Sequence, residues 1–314
     1  MALILSAATG NFNAGATWVG GIVPGAADEA RASTTHTVTI TANVTCTELS
    51  NAGTGLFILN SGVTLTANVT HKSATANVNC LQFTAASPAT ATIVGNITGG
   101  SVASTTVFGA VNNTSSGALT ITGSVTGGTA SIAVGVNNNS TGTLTITGNV
   151  TAGSGSSSVG ANNASTGTVT ITGNVNGGSN TLTYGTQNTL AGTISITGSV
   201  TGGSNATSYG VQNASTGTVT INGNVAAATA TGINNASAGP VTITGSITAS
   251  TAAGVTNAST GSVTITGNVL AAAATGVTNA STGPVTITGN ITASTAAGVT
   301  NSSTATLTIS GGTY

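Results

Sequence analysis

The sequence predicts an all-β protein: a parallel β-helix (β-solenoid) of about twelve coils of 22–28 residues. Three observations predict it. One short phrase recurs along the whole chain, the mark of a repeat architecture. Within the phrase, β-branched residues alternate with period two, as in half-buried strands. Gly, Asn and Ser punctuate the chain between the phrases, as turns require.

The phrase appears as VTITANV at 38–44, VTLTANV at 63–69, ATIVGNI at 91–97, LTITGSV at 119–125 and onward. Its central Ile or Leu gives the markers Ile40, Leu65, Ile93, Ile121, Ile146, Ile171, Ile196, Ile221, Ile243, Ile265, Ile287 and Ile309. Successive markers lie 25, 28, 28, 25, 25, 25, 25, 22, 22, 22 and 22 residues apart. The change from 25 to 22 shortens the stretch between strands, from TGGSNATSYG (Thr201 to Gly210) to TASTAAG (Thr248 to Gly254). A deletion confined to that stretch is expected if it is a surface turn and each copy is one coil.

Leu119, Ile121, Gly123 and Val125 share one parity, and Thr120 and Thr122 the other. A second strand is expected around Val134, Val136 and Asn138. Two short strands and two turns cannot bury an apolar face alone, so successive copies must stack in parallel and pile their aliphatic residues into inner columns. The handedness preference of parallel crossovers predicts a right-handed coil. Twelve coils at about 4.8 Å each make a rod about 58 Å long.

Asn113, Asn138, Asn163, Asn188, Asn213, Asn235, Asn257, Asn279 and Asn301 each fall eight residues before a marker, at inward parity. They are predicted to form a buried amide ladder that also satisfies turn backbone groups. The outward parity carries Thr-x-Thr: Thr120/Thr122, Thr145/Thr147, Thr170/Thr172, Thr242/Thr244, Thr264/Thr266 and Thr286/Thr288.

Charge is nearly absent. The chain has 2 basic and 3 acidic residues and a net charge of -1. That excludes nucleic-acid binding by phosphate neutralisation and adhesion to membranes through a polybasic surface. No apolar run approaches the roughly 20 residues of a membrane-spanning helix, so no membrane insertion is expected. The first residues, MALILSAATGNFN, lack the basic start and long apolar core of a secretion signal. The charged residues are Asp28, Glu29, Arg31, Glu48 and Lys72, and none lies between Ser73 and Tyr314. Residues 1–35 are therefore read as an N-terminal cap and attachment segment, with Trp18, Asp28, Glu29 and Arg31 as candidate attachment residues. Residues 36–314 are read as the solenoid. Trp18 also suits a hydrophobic plug on the first coil.

No catalytic, cofactor-binding or metal site is expected. Acid–base catalysis needs positioned titratable groups, and the carboxylates are three, two of them adjacent in the cap. His36 and His71 occupy unrelated coil positions and read as end-cap or surface residues. Two Cys and two His do not form a spaced ligand set. Pairs such as Gly99-Gly100 and Gly177-Gly178 lack the lysine and helix of a phosphate loop. Cys46 and Cys80 differ in coil register, which favours two buried thiols over a disulfide.

The segment WVGGIVPGAADEA (18–30), followed by THTVTITANVT (35–45), resembles the opening of β-helical proteins found in bacteriophage virions and in some bacterial surface proteins. The resemblance implies a fibre, spike or decoration subunit, with copies of itself and another virion protein as partners and the virion as its place. The carboxylate clusters of phage depolymerases are missing from this sequence, which argues against that activity. A hydroxyl-rich surface would suit contact with a host-surface glycan. Two other functions fit the repeats: an ice-binding protein using the Thr-x-Thr columns, and a subunit of a self-assembling extracellular filament whose coils stack from chain to chain.

Overall fold

The computed structural model describes residues 1–72, 81–83, 90–100, 107–129, 132–178, 182–203, 205, 207–302 and 304–311; of 81–83, 107–109 and 132 it describes the backbone alone. The chain is a parallel β-solenoid of about eleven turns. Among the described residues the strands form two sheets, one of 23 strands and one of 13.

A representative turn contains three strand segments. Ala118–Thr122 and Val125–Thr126 belong to the larger sheet and Ile132–Asn138 to the smaller. The two-strand unit expected from the sequence is thus corrected: the marker strand breaks into two at a corner. The corner residue is Gly123, with φ +150, and its counterparts Gly148, Gly173 and Gly198 have φ +149, +149 and +146. An L side chain rarely adopts that backbone, and a Cβ at Gly173 would run into the carbonyl oxygen of Gly148 one turn earlier. In the first turns, before this corner is established, each pair of segments is one long strand, Val44–Asn51 and Val63–His71.

Register follows the repeat. Leu65, Ile93, Ile121, Ile146, Ile171, Ile196, Ile221, Ile243, Ile265, Ile287 and Ile309 form one column. Ile40 is the exception. It pairs with Leu59 in the smaller sheet, and the partner of Leu65 is Val44. The phrase at 38–44 has the right local pattern, but the first turns are shorter (Val38 pairs with Phe57), which puts its strand on the other sheet. This removes one marker from the count of coils.

The interior is a continuous aliphatic spine. From Leu65 to Ile287 the markers are at most 1% exposed, as are Leu119, Val125 and Val136. Each such buried Val, Ile or Leu contributes about 1.5–3 kcal/mol, so the stack is held mainly by burial between neighbouring turns. The segment 1–35 also contributes strands: Leu3–Leu5 pairs with Glu29–Ala32, and Gly10–Asn11 pairs with Val38–Thr39.

Candidate functional surfaces

At the N-terminal end, Phe12 and Trp18 are 1% and 2% exposed. Their rings meet edge to face at 5.1 Å, and the Trp18 indole N–H donates to the Phe12 carbonyl at 2.6 Å. Trp18 therefore sits inside the cap as a plug rather than on its surface. The exposed large side chains of this end are Met1, Leu3, Leu5, Val19 and Ile22. Leu3, Leu5, Val19 and Ile22, with Ala2, Ile4 and Asp28, line a groove of about 420 Å³.

Four of the five charges form one cluster around Glu29, which register pairs with Glu48. Glu29 Oε1 accepts from Arg31 at 2.6 Å, Lys72 at 2.9 Å and the Ser50 hydroxyl at 2.5 Å. Lys72 also reaches Glu48 at 3.0 Å. Burial raises the Glu29 pKa, but the hydrogen bonds from Ser50, Lys72 and Arg31, and the Arg31 charge, outweigh it and hold it at about 2. Burial disfavours the Lys72 ammonium, yet its bonds to the two glutamates leave its pKa above the ordinary value. Asp28 uses its carboxylate locally, accepting the N–H of Ala2 at 3.2 Å and of Gly25 at 3.0 Å. The expected attachment residues Trp18, Asp28, Glu29 and Arg31 thus lie together at one end, with their polar groups spent on internal bonds. Glu29, held ionised near neutrality, is unsuited to donate a proton to a leaving group.

The two histidines separate. His36 shares a hydrogen with Ser6 through Nδ1 at 2.8 Å and is half-buried. His71 is 5% exposed, which corrects its reading as an end-cap or surface residue. It ends a core strand and lies against Gly100, where a side chain would collide with its ring. Cys46 is a buried free thiol, its pKa pushed up to about 12 chiefly by burial. Cys80 lies outside the described residues. Among those residues no group of three His, Cys, Asp or Glu side chains is placed to hold a metal ion, and no helix is long and apolar enough to cross a membrane.

The nine asparagines lie in one register column. From Asn113 to Asn279 each is fully buried; Asn301 is exposed. Amide donates to amide from Asn113 to Asn138 (2.9 Å), Asn138 to Asn163 (3.1 Å), Asn188 to Asn213 (3.3 Å), Asn235 to Asn257 (3.1 Å) and Asn257 to Asn279 (3.2 Å). Several also close their own turn four residues on, as Asn163 does with the Gly167 carbonyl and Asn213 with that of Gly217, both at 2.9 Å.

Sequence reasoning missed a second amide column, on the outside of the glycine corner. The side-chain oxygens of Asn96, Asn149, Asn174, Asn224 and Asn268 accept the backbone N–H one turn later, at Ser124, Asn174, Ser199, Ser246 and Asn290, at 2.8–2.9 Å. The recurring Gly-Asn or Gly-Ser dipeptide after each marker was its signal.

On the larger sheet the outward residues line up in two columns. One runs Thr64, Thr92, Thr120, Thr145, Thr170, Ser195, Thr220, Thr242, Thr264, Thr286, Thr308. The other holds Thr122, Thr147, Thr172 and Thr197, then Asn222, Thr244, Thr266 and Thr288. No family model, curated protein or solved structure matches this chain.

Proposed function

We propose that the chain is a non-enzymatic structural rod of a bacteriophage particle, a fibre, spike or decoration subunit. It is mounted through residues 1–35 on another virion protein and associates with further copies of itself. The observation that carries this reading is the asymmetry of the molecule. All five charged side chains, the aromatic plug and, among the described residues, five of the eight exposed large apolar side chains (Met1, Leu3, Leu5, Val19 and Ile22) lie at one end, while Val94, Leu190 and Leu270 are scattered singly along the shaft. Beyond Lys72 the chain presents a neutral shaft. An end with groups for docking and a shaft without charge suit a displayed spacer. The resemblance of residues 18–45 to virion proteins supplies the particle. Antibody labelling of purified particles under the electron microscope tests this: decoration at a fixed virion position is expected. Chain found only in the medium, with unlabelled particles, overturns it.

The in-register threonine columns favour a second reading, ice binding. Flat rows of regularly spaced hydroxyl and methyl groups, free of charge, suit an ordered water surface. Freezing hysteresis at high protein concentration separates the two: the virion reading expects none, and a measurable gap replaces it with the second.

A further inference from the structure

Two rungs of the smaller sheet depart from the repeat together. Tyr184 and Tyr209, two of the three tyrosines in the chain, are register partners. Their rings stack with centroids 5.6 Å apart and planes 15° from parallel. Three residues on, Gln187 and Gln212 stand where the adjoining rungs carry Asn137, Asn162 and Asn234. The Gln187 amide donates to that of Gln212 at 2.7 Å. All four side chains are half-exposed, whereas Gly185, Gly210 and the residues after them are buried. A Cβ at Gly185 or Gly210 would meet the core residues Val200 or Val225. The strand therefore turns two successive positions inward, which sets tyrosine and glutamine on one outward face.

One face of each ring covers the other. The remaining face of Tyr184 looks toward the Val159 rung and that of Tyr209 toward the Thr231 rung. Threonine is too short to cover a phenol ring. The sequence between strands also shortens at this point: seven residues separate Val200–Thr201 from Tyr209–Asn213, whereas three separate Val225–Ala227 from Thr231–Asn235. Three residues along the same strand from Tyr209, Gln212 is the register partner of Asn234 on the Thr231 rung.

We propose that the outer face of Tyr209, with Gln212 and Asn234, is a binding site for a neutral carbohydrate, one hexose unit of a glycan laying its C–H face on Tyr209 while Gln212 and Asn234 take its hydroxyls. An aromatic face attracts the weakly positive C–H edge of a sugar. A primary amide offers a donor and an acceptor side by side, matching neighbouring hydroxyls. The five charged residues are at or before Lys72, so an ionic ligand finds no counter-charge here. A proline-rich peptide also stacks on tyrosine, but it needs a groove walled by several aromatic rings; here one open ring face stands beside threonine. The site is independent of what the rod is mounted on.

The test is saturation-transfer NMR and tyrosine-fluorescence titration of the full chain. The probes are methyl glycosides of glucose, galactose, mannose and N-acetylglucosamine, their linear oligomers, and decaproline. At least one glycan is expected to bind in the millimolar range or tighter, as few contacts on an open surface allow. Tyr209→Thr, which copies the next rung, is expected to weaken it about tenfold or more; Tyr209→Leu, which keeps bulk without the aromatic face, should do the same. Thr244→Ala, on the other sheet, should leave it unchanged. No glycan binding at about 10 mM, binding indifferent to both Tyr209 variants, or binding of decaproline alone would each overturn the proposal.

Discussion

Asn213 shows what a single buried amide does. Its amide nitrogen donates to the carbonyls of Gly217 at 2.9 Å and Gly239 at 3.0 Å, and its oxygen accepts from Asn188 at 3.3 Å. Asn213→Leu removes all three and leaves buried backbone acceptors without partners. It is expected to destabilise the rod by about 1–3 kcal/mol in chemical denaturation. Gly173 is held by its backbone instead: φ is +149 and any side chain would meet the carbonyl of Gly148. Gly173→Ala should cost about 3 kcal/mol or more, the upper range for a strained conformation with a clash added. Asn213 was legible in the sequence because nine copies share one offset. The role of Gly173 was not, because a glycine at inward parity within an alternating run reads as a strand position. Its φ is set by the need to turn the chain at a corner, which no local pattern encodes.

At the scale of the element, the cap has its own probe, because Trp18 is the only tryptophan and lies inside it. The Glu29 cluster ties three successive rungs together through Arg31, Ser50 and Lys72. Its folded pKa, about 2, lies below the ordinary 4.5. The unfolded chain thus takes up this proton first. The stabilisation is fully present above about pH 4.5 and is lost as pH falls toward 2, to a total of about 3 kcal/mol. Acid titration followed by Trp18 fluorescence should show the cap loosening in that window, and Glu29→Gln should flatten the dependence. A cap whose stability is flat from pH 5 to 2 would contradict the bond network. The sequence indicated that the charges belonged to one end, but their mutual pairing was not visible. Glu29, Glu48 and Lys72 are brought together by strand register in turns of irregular length, and the same irregularity moved Ile40 to the other sheet.

For the whole molecule, each turn rests on its two neighbours, so the stack should tolerate loss of a complete unit. Deleting residues 244–265 joins Ile243 to Thr266, the register partner of Thr244. The shortened chain should fold, keep its cap fluorescence, and lose about 4.8 Å of length in solution scattering. Removing half as many residues should fail, because it would place hydroxyls in the spine and aliphatic groups outside. Architecture at this scale was the most legible part of the sequence, since an interior repeated in register forces a periodic pattern. The segregation of charge has one more consequence. Trypsin needs lysine or arginine at its cut site, and the chain offers only Arg31 and Lys72, both engaged in ion pairs at the first turns. Digestion can trim that end, but even a fully denatured chain will yield the fragment from residue 73 to 314 uncut.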